Sequence, residues 1–251
     1  MSIVFDNIFV KIDDFMYNNL YLLFHIHWRM KVHVHHTEHW ITDRPRFVYI
    51  SWLYAQDYCE YQIHLEQVQG VITDDTPEMI EGSEEHSRLE EEFAAEATLD
   101  LTFPEAIEAS KEKPISTREI YVQDSHLQIC GYIDELVMKP DEFVVIDDKP
   151  VGRSGKVYPS SKNQVFGYCI ALKNMLSDGD NRKITAAVRE RGTDRIVWSQ
   201  SFDTRTHNRV IKLVDRIHGI LNGDIESKAS DKGYKCRPCR FFDICDRKVV
   251  S

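Results

Sequence analysis

Hydrophobic and polar positions recur along this chain with two different periods. Between residues 50 and 67, Leu53, Tyr54, Asp57, Tyr58, Tyr61 and Leu65 fall at three- and four-residue steps, which predicts an amphipathic helix. Thr76-Pro77-Glu78 reads as the start of a second helix, with Thr as N-cap, Pro in the first turn and an acid near the positive end of the dipole. That helix runs to about residue 98. The period then drops to two. Residues 116–123 and 126–139 read as strands joined by an Asp124-Ser125 turn, and Pro140-Asp141-Glu142 turns the chain into a third strand over 143–149. A helix follows Pro159-Ser160-Ser161 and ends near Ser177. Strands near 184–190 and 195–201 and a helix over about 204–221 complete the pattern. This order predicts an α/β (α+β) fold, a mixed central sheet flanked by helices.

The 251 residues suit one domain, which we place at 46–251, and suffice to bury a full core. Residues 1–45 read as an N-terminal extension. Six of the eleven histidines lie between His25 and His39, and His33, His35 and His39 share the parity of one strand face. A solvated strand or irregular segment accounts for them better than a metal cluster does. The apolar stretch 15–28 is too short to span a membrane and is broken by Asn18, Asn19, His25 and His27. Asp13 and Asp14 stand where a secretory signal would carry basic residues. Six cysteines are too few for a disulfide scaffold, so a cytoplasmic protein with a thiolate metal site is expected.

The formal charge of -10 argues at first against a nucleic-acid partner. The acidity is regional, however. Residues 74–108 hold 13 acidic residues and one basic one, Arg88, whereas residues 228–248 hold seven basic and three acidic. In the latter segment Tyr234, Phe241 and Phe242 interleave with the charges, a combination suited to single-stranded DNA. Lys235, Arg237, Arg240 and Phe241 are the candidate contacts. Arg182, Lys183, Arg189, Arg191 and Arg195 form a second basic stretch.

Two strands carry the candidate chemistry. In Asp147-Asp148-Lys149, Asp147 and Lys149 share a face and Asp148 points away, while Asp134 on the neighbouring strand can converge on Asp147. Paired carboxylates repel unless a proton or cation lies between them, and hard oxygen ligands suit Mg²⁺ or Mn²⁺. An adjacent lysine can stabilise charge at a phosphorus centre under attack. Gln164 and Tyr168 lie four apart on one helix face, where the amide can orient a water or a phosphate. Near the C-terminus, Cys236, Cys239 and Cys245 form C-x2-C-x5-C, and Cys59 is the natural fourth ligand. Zinc and a [4Fe–4S] cluster both fit four thiolates. Cys130 and Cys169 read as small buried residues.

These motifs resemble the RecB-like branch of the PD-(D/E)xK nucleases, a restriction-endonuclease-like fold. That branch pairs a strand aspartate with a (D/E)-x-K strand and a Q-x-x-x-Y helix, often after an upstream G-x-x-x-H element such as Gly82 to His86 here. The resemblance implies metal ligation by His86, Asp134, Asp147 and the backbone carbonyl of Asp148, with Lys149 catalytic. One cysteine before the core and three after it is similar to the iron–sulfur members, which implies a [4Fe–4S] cluster on Cys59, Cys236, Cys239 and Cys245, the three C-terminal ligands lying within residues 228–248. The overall likeness is to the CRISPR-associated exonucleases (the fourth Cas family). It implies a 5′→3′ exonuclease on single-stranded DNA ends and a CRISPR integrase as partner. The chain departs from the family pattern at Pro150, at the carboxylate of Asp148, which looks unpaired, and throughout the residues before Arg46. Rival readings are a general DNA-repair nuclease of the same superfamily, a non-catalytic cluster-containing DNA-binding or adaptor protein, and a zinc-stapled protein with an unrelated hydrolase site.

Overall fold

The computed structural model describes residues 4–5, 8–9, 29–35, 47–151 and 155–250. Its first half runs β1 (Val4–Phe5), β2 (Ile8–Phe9), β3 (Met30–His35), β4 (Val48–Tyr49), α1 (Trp52–Ile63), α2 (Pro77–Glu96), β5 (Leu99–Thr102) and α3 (Phe103–Ala109). The second half runs β6 (Ile115–Asp124), β7 (Ile129–Met138), β8 (Glu142–Lys149), α4 (Pro159–Met175), β9 (Lys183–Glu190), β10 (Ile196–Ser201), α5 (Thr204–Asn222) and α6 (Gly233–Cys236). The main sheet has the order β10-β9-β8-β7-β6-β3-β5, with β4 attached to β7.

Local chemistry accounts for these elements. Antiparallel β6, β7 and β8 follow one another through short turns, whereas parallel β8 and β9 need a crossover, which α4 supplies. Strand β8 alternates as a sheet buried on both faces requires. Phe143 and Val145 enter the large core under α1, α4 and α5, and Val144 and Ile146 join Val137, Ala187 and Ile196 on the other side. Thr76 caps α2 by accepting from the Met79 N–H, and Asp203 and Thr206 form a capping box on α5. Among the described residues no helix is long and apolar enough to cross a membrane.

Three features differ from the expected pattern. The β6–β7 turn is not Asp124-Ser125; it spans residues 125–128. Asp124 Oδ1 accepts the N–H groups of His126 and Leu127, and Gln128 closes the loop in the left-handed region at φ 53°. Strand β3 lies inside the main sheet, parallel to β5 and β6, with Val32 and Val34 buried. Its neighbours are about 65 to 85 residues away in sequence, so a local pattern gives no sign of the pairing. Finally, β5 and α3 arise within the acidic stretch. Four and seven residues are too few to display a period, although Thr102 and Glu105 form a capping box at the start of α3. Of the histidine group, His33 lies on the solvent side of β3 and His39 falls outside the described residues.

Candidate active site and cysteine cavity

The end of β8 delivers Asp147 and Lys149 to the face covered by α4. Asp147 is fully buried, and Lys149 Nζ stands 3.1 Å from its Oδ2. The Asp148 N–H donates to Asp134 Oδ2 at 2.6 Å, tying β8 to β7 just beyond their last ladder pair, Glu135↔Ile146. Helix α2 brings His86 over the same point. Its Nε2 is 3.8 Å from Asp134 Oδ2 and its Nδ1 is 3.7 Å from Glu119 Oε1. One ligand atom from each of His86, Glu119 and Asp134 lies within 4.8 Å of the others. A set of hard carboxylate oxygens with one imidazole suits Mg²⁺ or Mn²⁺.

Helix α4 closes the site from above. Gln164 Nε2 donates to the Tyr168 hydroxyl at 3.0 Å, and both side chains are buried. Gly131 makes room for this pair, since a Cβ there would meet Tyr168 Cε1 at 3.0 Å and Ile50 Cβ at 3.3 Å. Burial raises the Tyr168 hydroxyl well above its ordinary pKa, and Asp147 and Asp134 add to the effect. The same desolvation pushes Asp147 up to about 7; Lys149 works against it and Asp134 with it. Burial pulls the Lys149 ammonium down, but Asp147 and Asp134 outweigh it and leave its pKa raised. His86 is raised by its interaction with Glu119 and by Asp134, against burial. Among the described residues Lys149, 3.1 Å from Oδ2, is the one side-chain partner of Asp147, and Oδ1 has none. A buried carboxylate in that condition fits a cation ligand.

Asp148 corrects an expectation. Its carboxylate is paired on the opposite face of the sheet, where Arg189 binds it through Nε at 2.7 Å and Nη2 at 2.9 Å and Arg118 approaches at 3.0 Å. Glu135 joins them through Arg189, Arg118 and Arg29. Burial works to raise both carboxyls, but these arginines hold them below the ordinary carboxylate range.

Glu119 is the residue that sequence reasoning missed. Every β6–β7 pair fits one register, which places Glu119 level with Asp134, yet the ladder skips that pair and Glu119 adopts φ 50°. On both strands the core-facing set changes parity at this level, from Ile115 to Ile120 on β6 and from Ile133 to Leu136 on β7. Glu119 and Asp134 consequently share the site face. A non-glycine residue held at positive φ is a strained position of the kind found at ligand clamps. A two-residue turn at 124–125 would have set Asp134 against Ile115. The signal that could have found Glu119 was the longer Asp124-capped turn.

The PD-(D/E)XK nuclease superfamily model matches residues 54–246, more than half of the chain and every residue from His86 to Arg189 named above. The chain belongs to the PD-(D/E)XK nuclease superfamily. Two solved structures are similar to it. One is described as SSO0001, with 15% identity over 83% of this chain and 90% of that one, at a TM-score of 0.43. The other is a protein from Eubacterium rectale whose description proposes an exonuclease, with 12% identity over 82% and 89% at a TM-score of 0.45. No curated protein matches the chain.

In this nuclease-superfamily chain the four cysteines Cys59, Cys236, Cys239 and Cys245 line one small cavity of about 20 Å³ with Tyr61, Leu65 and Phe241. Helix α1 is broken at Cys59, whose backbone is extended. Lys235 binds there, donating from Nζ to the carbonyls of Asp57 and Tyr58, while the Tyr58 hydroxyl donates to the Lys235 carbonyl. Three donors already point at sulfur: Gln62 Nε2 to Cys239, the Ser230 N–H to Cys59 and the Val249 N–H to Cys236. Four thiols with N–H donors around one apolar space fit a thiolate-held group. Cys130 and Cys169 are buried in or beside the core.

The expected DNA contacts divide. Phe241 is 1% exposed in the small core of the cysteine module, so its ring offers no face to a base. Arg240 pairs with Glu66, and Lys235 is tied to α1. Arg237 and Tyr234 are exposed. The second basic stretch is partly spent inside the fold, and Lys183 and Arg195 are exposed. Arg182 stacks on Phe143 and binds Asp180, Ser110 and the Lys139 carbonyl, Arg189 lies in the buried network, and Arg195 pairs with Glu190.

Proposed function

We propose that this nuclease is a metal-dependent deoxyribonuclease that degrades single-stranded DNA from its ends in the 5′→3′ direction, carries a [4Fe–4S] cluster, and acts in CRISPR spacer acquisition beside an integrase. The observation that carries the catalytic part is Asp147, fully buried with Lys149 as its one side-chain partner among the described residues and set beside Asp134 and His86. A divalent cation bound by His86, Asp134, Asp147 and the backbone carbonyl of Asp148 supplies Lewis-acid and water-activating chemistry. Glu119 belongs with those ligands. Lys149 keeps its proton beside Asp147 and presents an ammonium that offsets charge gathering on the phosphate. Gln164 donates to the Tyr168 oxygen, leaving the hydroxyl proton for an acceptor. The Tyr54 ring, 37% exposed and 5.7 Å from Lys149 Nζ, offers an unpaired base a stacking surface next to the reacting groups.

The four cysteines around one apolar space, with N–H donors aimed at three of the sulfurs, support a thiolate-held cluster. The test is anaerobic purification with a visible absorbance scan, metal analysis, and Mn²⁺ or Mg²⁺ assays on single strands labelled at either end. We expect a brown, iron-containing protein that shortens strands stepwise from the 5′ end. Full Mn²⁺-dependent cleavage by Lys149→Ala would overturn the site. A colourless preparation with zinc and no iron would overturn the cluster.

A further inference from the structure

Among the described residues, the arginines around the proposed site all face carboxylates except one. Arg118 and Arg189 face Glu135 and Asp148, Arg88 faces Glu85 and Glu92, and Arg195 faces Glu190. Arg191, in the turn between β9 and β10, makes no ion pair within 4.0 Å and no side-chain hydrogen bond among the described residues. Its Nε is buried without a partner.

Its position is nevertheless fixed. The Arg191 N–H donates to the Lys149 carbonyl at 3.0 Å, one residue beyond the pair Lys149↔Glu190. The guanidinium lies against Gly82, where a Cβ would stand 3.1 Å from Nη1 and 3.5 Å from Nη2. Gly82 is buried and sits four residues before His86, on the same face of α2. The missing side chain at Gly82 thus leaves the space in which Arg191 rests near His86. The positive charge is felt at the site, since it opposes protonation of His86.

We propose that Arg191 binds a phosphate of the nucleic-acid strand entering the site, and that Gly82 provides the room that aims it there. A guanidinium taken partly out of water without a counter-ion is unfavourable in the free protein. A phosphate diester would supply the missing negative charge, and its oxygens match the guanidinium fork. The nearby carboxylates do not need Arg191: Glu85 is held by Arg88, and Asp134 accepts from the Asp148 N–H. With Lys149 one strand away, Arg191 extends a line of positive charge along the ends of β8 and β9. The nucleic-acid nature of the ligand rests on the nuclease reading above.

The experiment uses the full chain as wild type, Arg191→Ala, Arg191→Lys and Gly82→Ala. Affinity for a fluorescein-labelled single strand is measured in Ca²⁺ over a range of salt concentrations, with thermal stability and Mn²⁺-dependent cleavage recorded in parallel. We expect Arg191→Ala to weaken binding about tenfold and to reduce the slope of log affinity against log salt by roughly 0.7. Arg191→Lys should keep the slope and part of the affinity. Gly82→Ala should weaken binding roughly threefold with all charges in place. Stability of Arg191→Ala should equal or exceed that of wild type, because an unpaired charge has been removed. Wild-type affinity and slope in Arg191→Ala would overturn the proposal. So would unfolding of Arg191→Ala together with wild-type affinity in both other variants. Failure of the nuclease reading looks different: no cleavage by wild type with any divalent ion, while binding still depends on Arg191.

Discussion

Asp134 and Glu135 are neighbours in sequence, as are Asp147 and Asp148, yet the two members of each pair meet opposite surroundings. Behind the sheet, Glu135 and Asp148 share Arg118 and Arg189, Arg29 adds to Glu135, and both carboxyls lie below the ordinary carboxylate range. In front, burial pushes Asp147 up to about 7, with Lys149 opposing the shift and the second carboxylate, Asp134, adding to it. One face is saturated with counter-charge and holds the strands in place. The other is left short of positive charge, which makes it a place for a cation. Strand alternation alone separates the two environments.

The comparison breaks most severely through the rear network. Arg189→Ala should lower unfolding stability in urea by about 3–5 kcal/mol, because two buried carboxylates lose their principal partner. Next comes Lys149→Ala, for which steady-state assays should show kcat down roughly 10²–10³-fold with stability nearly unchanged. A third prediction concerns pH. Folded and metal-free, Asp147 keeps its proton up to about pH 7, whereas the unfolded chain releases it near 3.8, the ordinary value of an aspartate. The folded state then binds more protons across that window, so this group's contribution to stability falls as pH rises through it. Urea melts in EDTA should show that Asp147→Asn removes this decline. A wild-type slope in the variant would show that the front face is not short of positive charge. The smallest effect is expected at Gly131→Ala, where crowding of Tyr168 should lower stability by about 1–2 kcal/mol and kcat a few-fold.

Much of this contrast can be read from the chain before any coordinates. Strand β8 is regular, so its parity separates Asp147 and Lys149 from Asp148, and Gln164 and Tyr168 follow from the helical repeat. The arginine partners of Asp148 are less accessible to such reasoning. They come from strands on both sides, β6 and β9, whose register is fixed only in three dimensions. Glu119 is hidden by a turn that is two residues longer than its composition implies. Phe241 misleads for another reason. An aromatic ring among basic residues has the composition of a base-stacking surface, but here the charges serve as clasps around a small apolar core.

The cysteine module has a consequence for the order of events in folding. Its fastenings join residues far apart in sequence: Arg216 to Glu60 across 156 residues, Tyr58 to Lys235 across 177, and Tyr61 to Asp246 across 185. The β6–β7–β8 meander closes over a few residues at each turn. Loop-closure entropy therefore favours the meander as an early structure and the clasp as a late one. The carboxylates and the lysine are in place before the ends of the domain meet. Opening of the clasp then comes first when the protein loosens, and its amides should exchange with solvent ahead of those in the sheet.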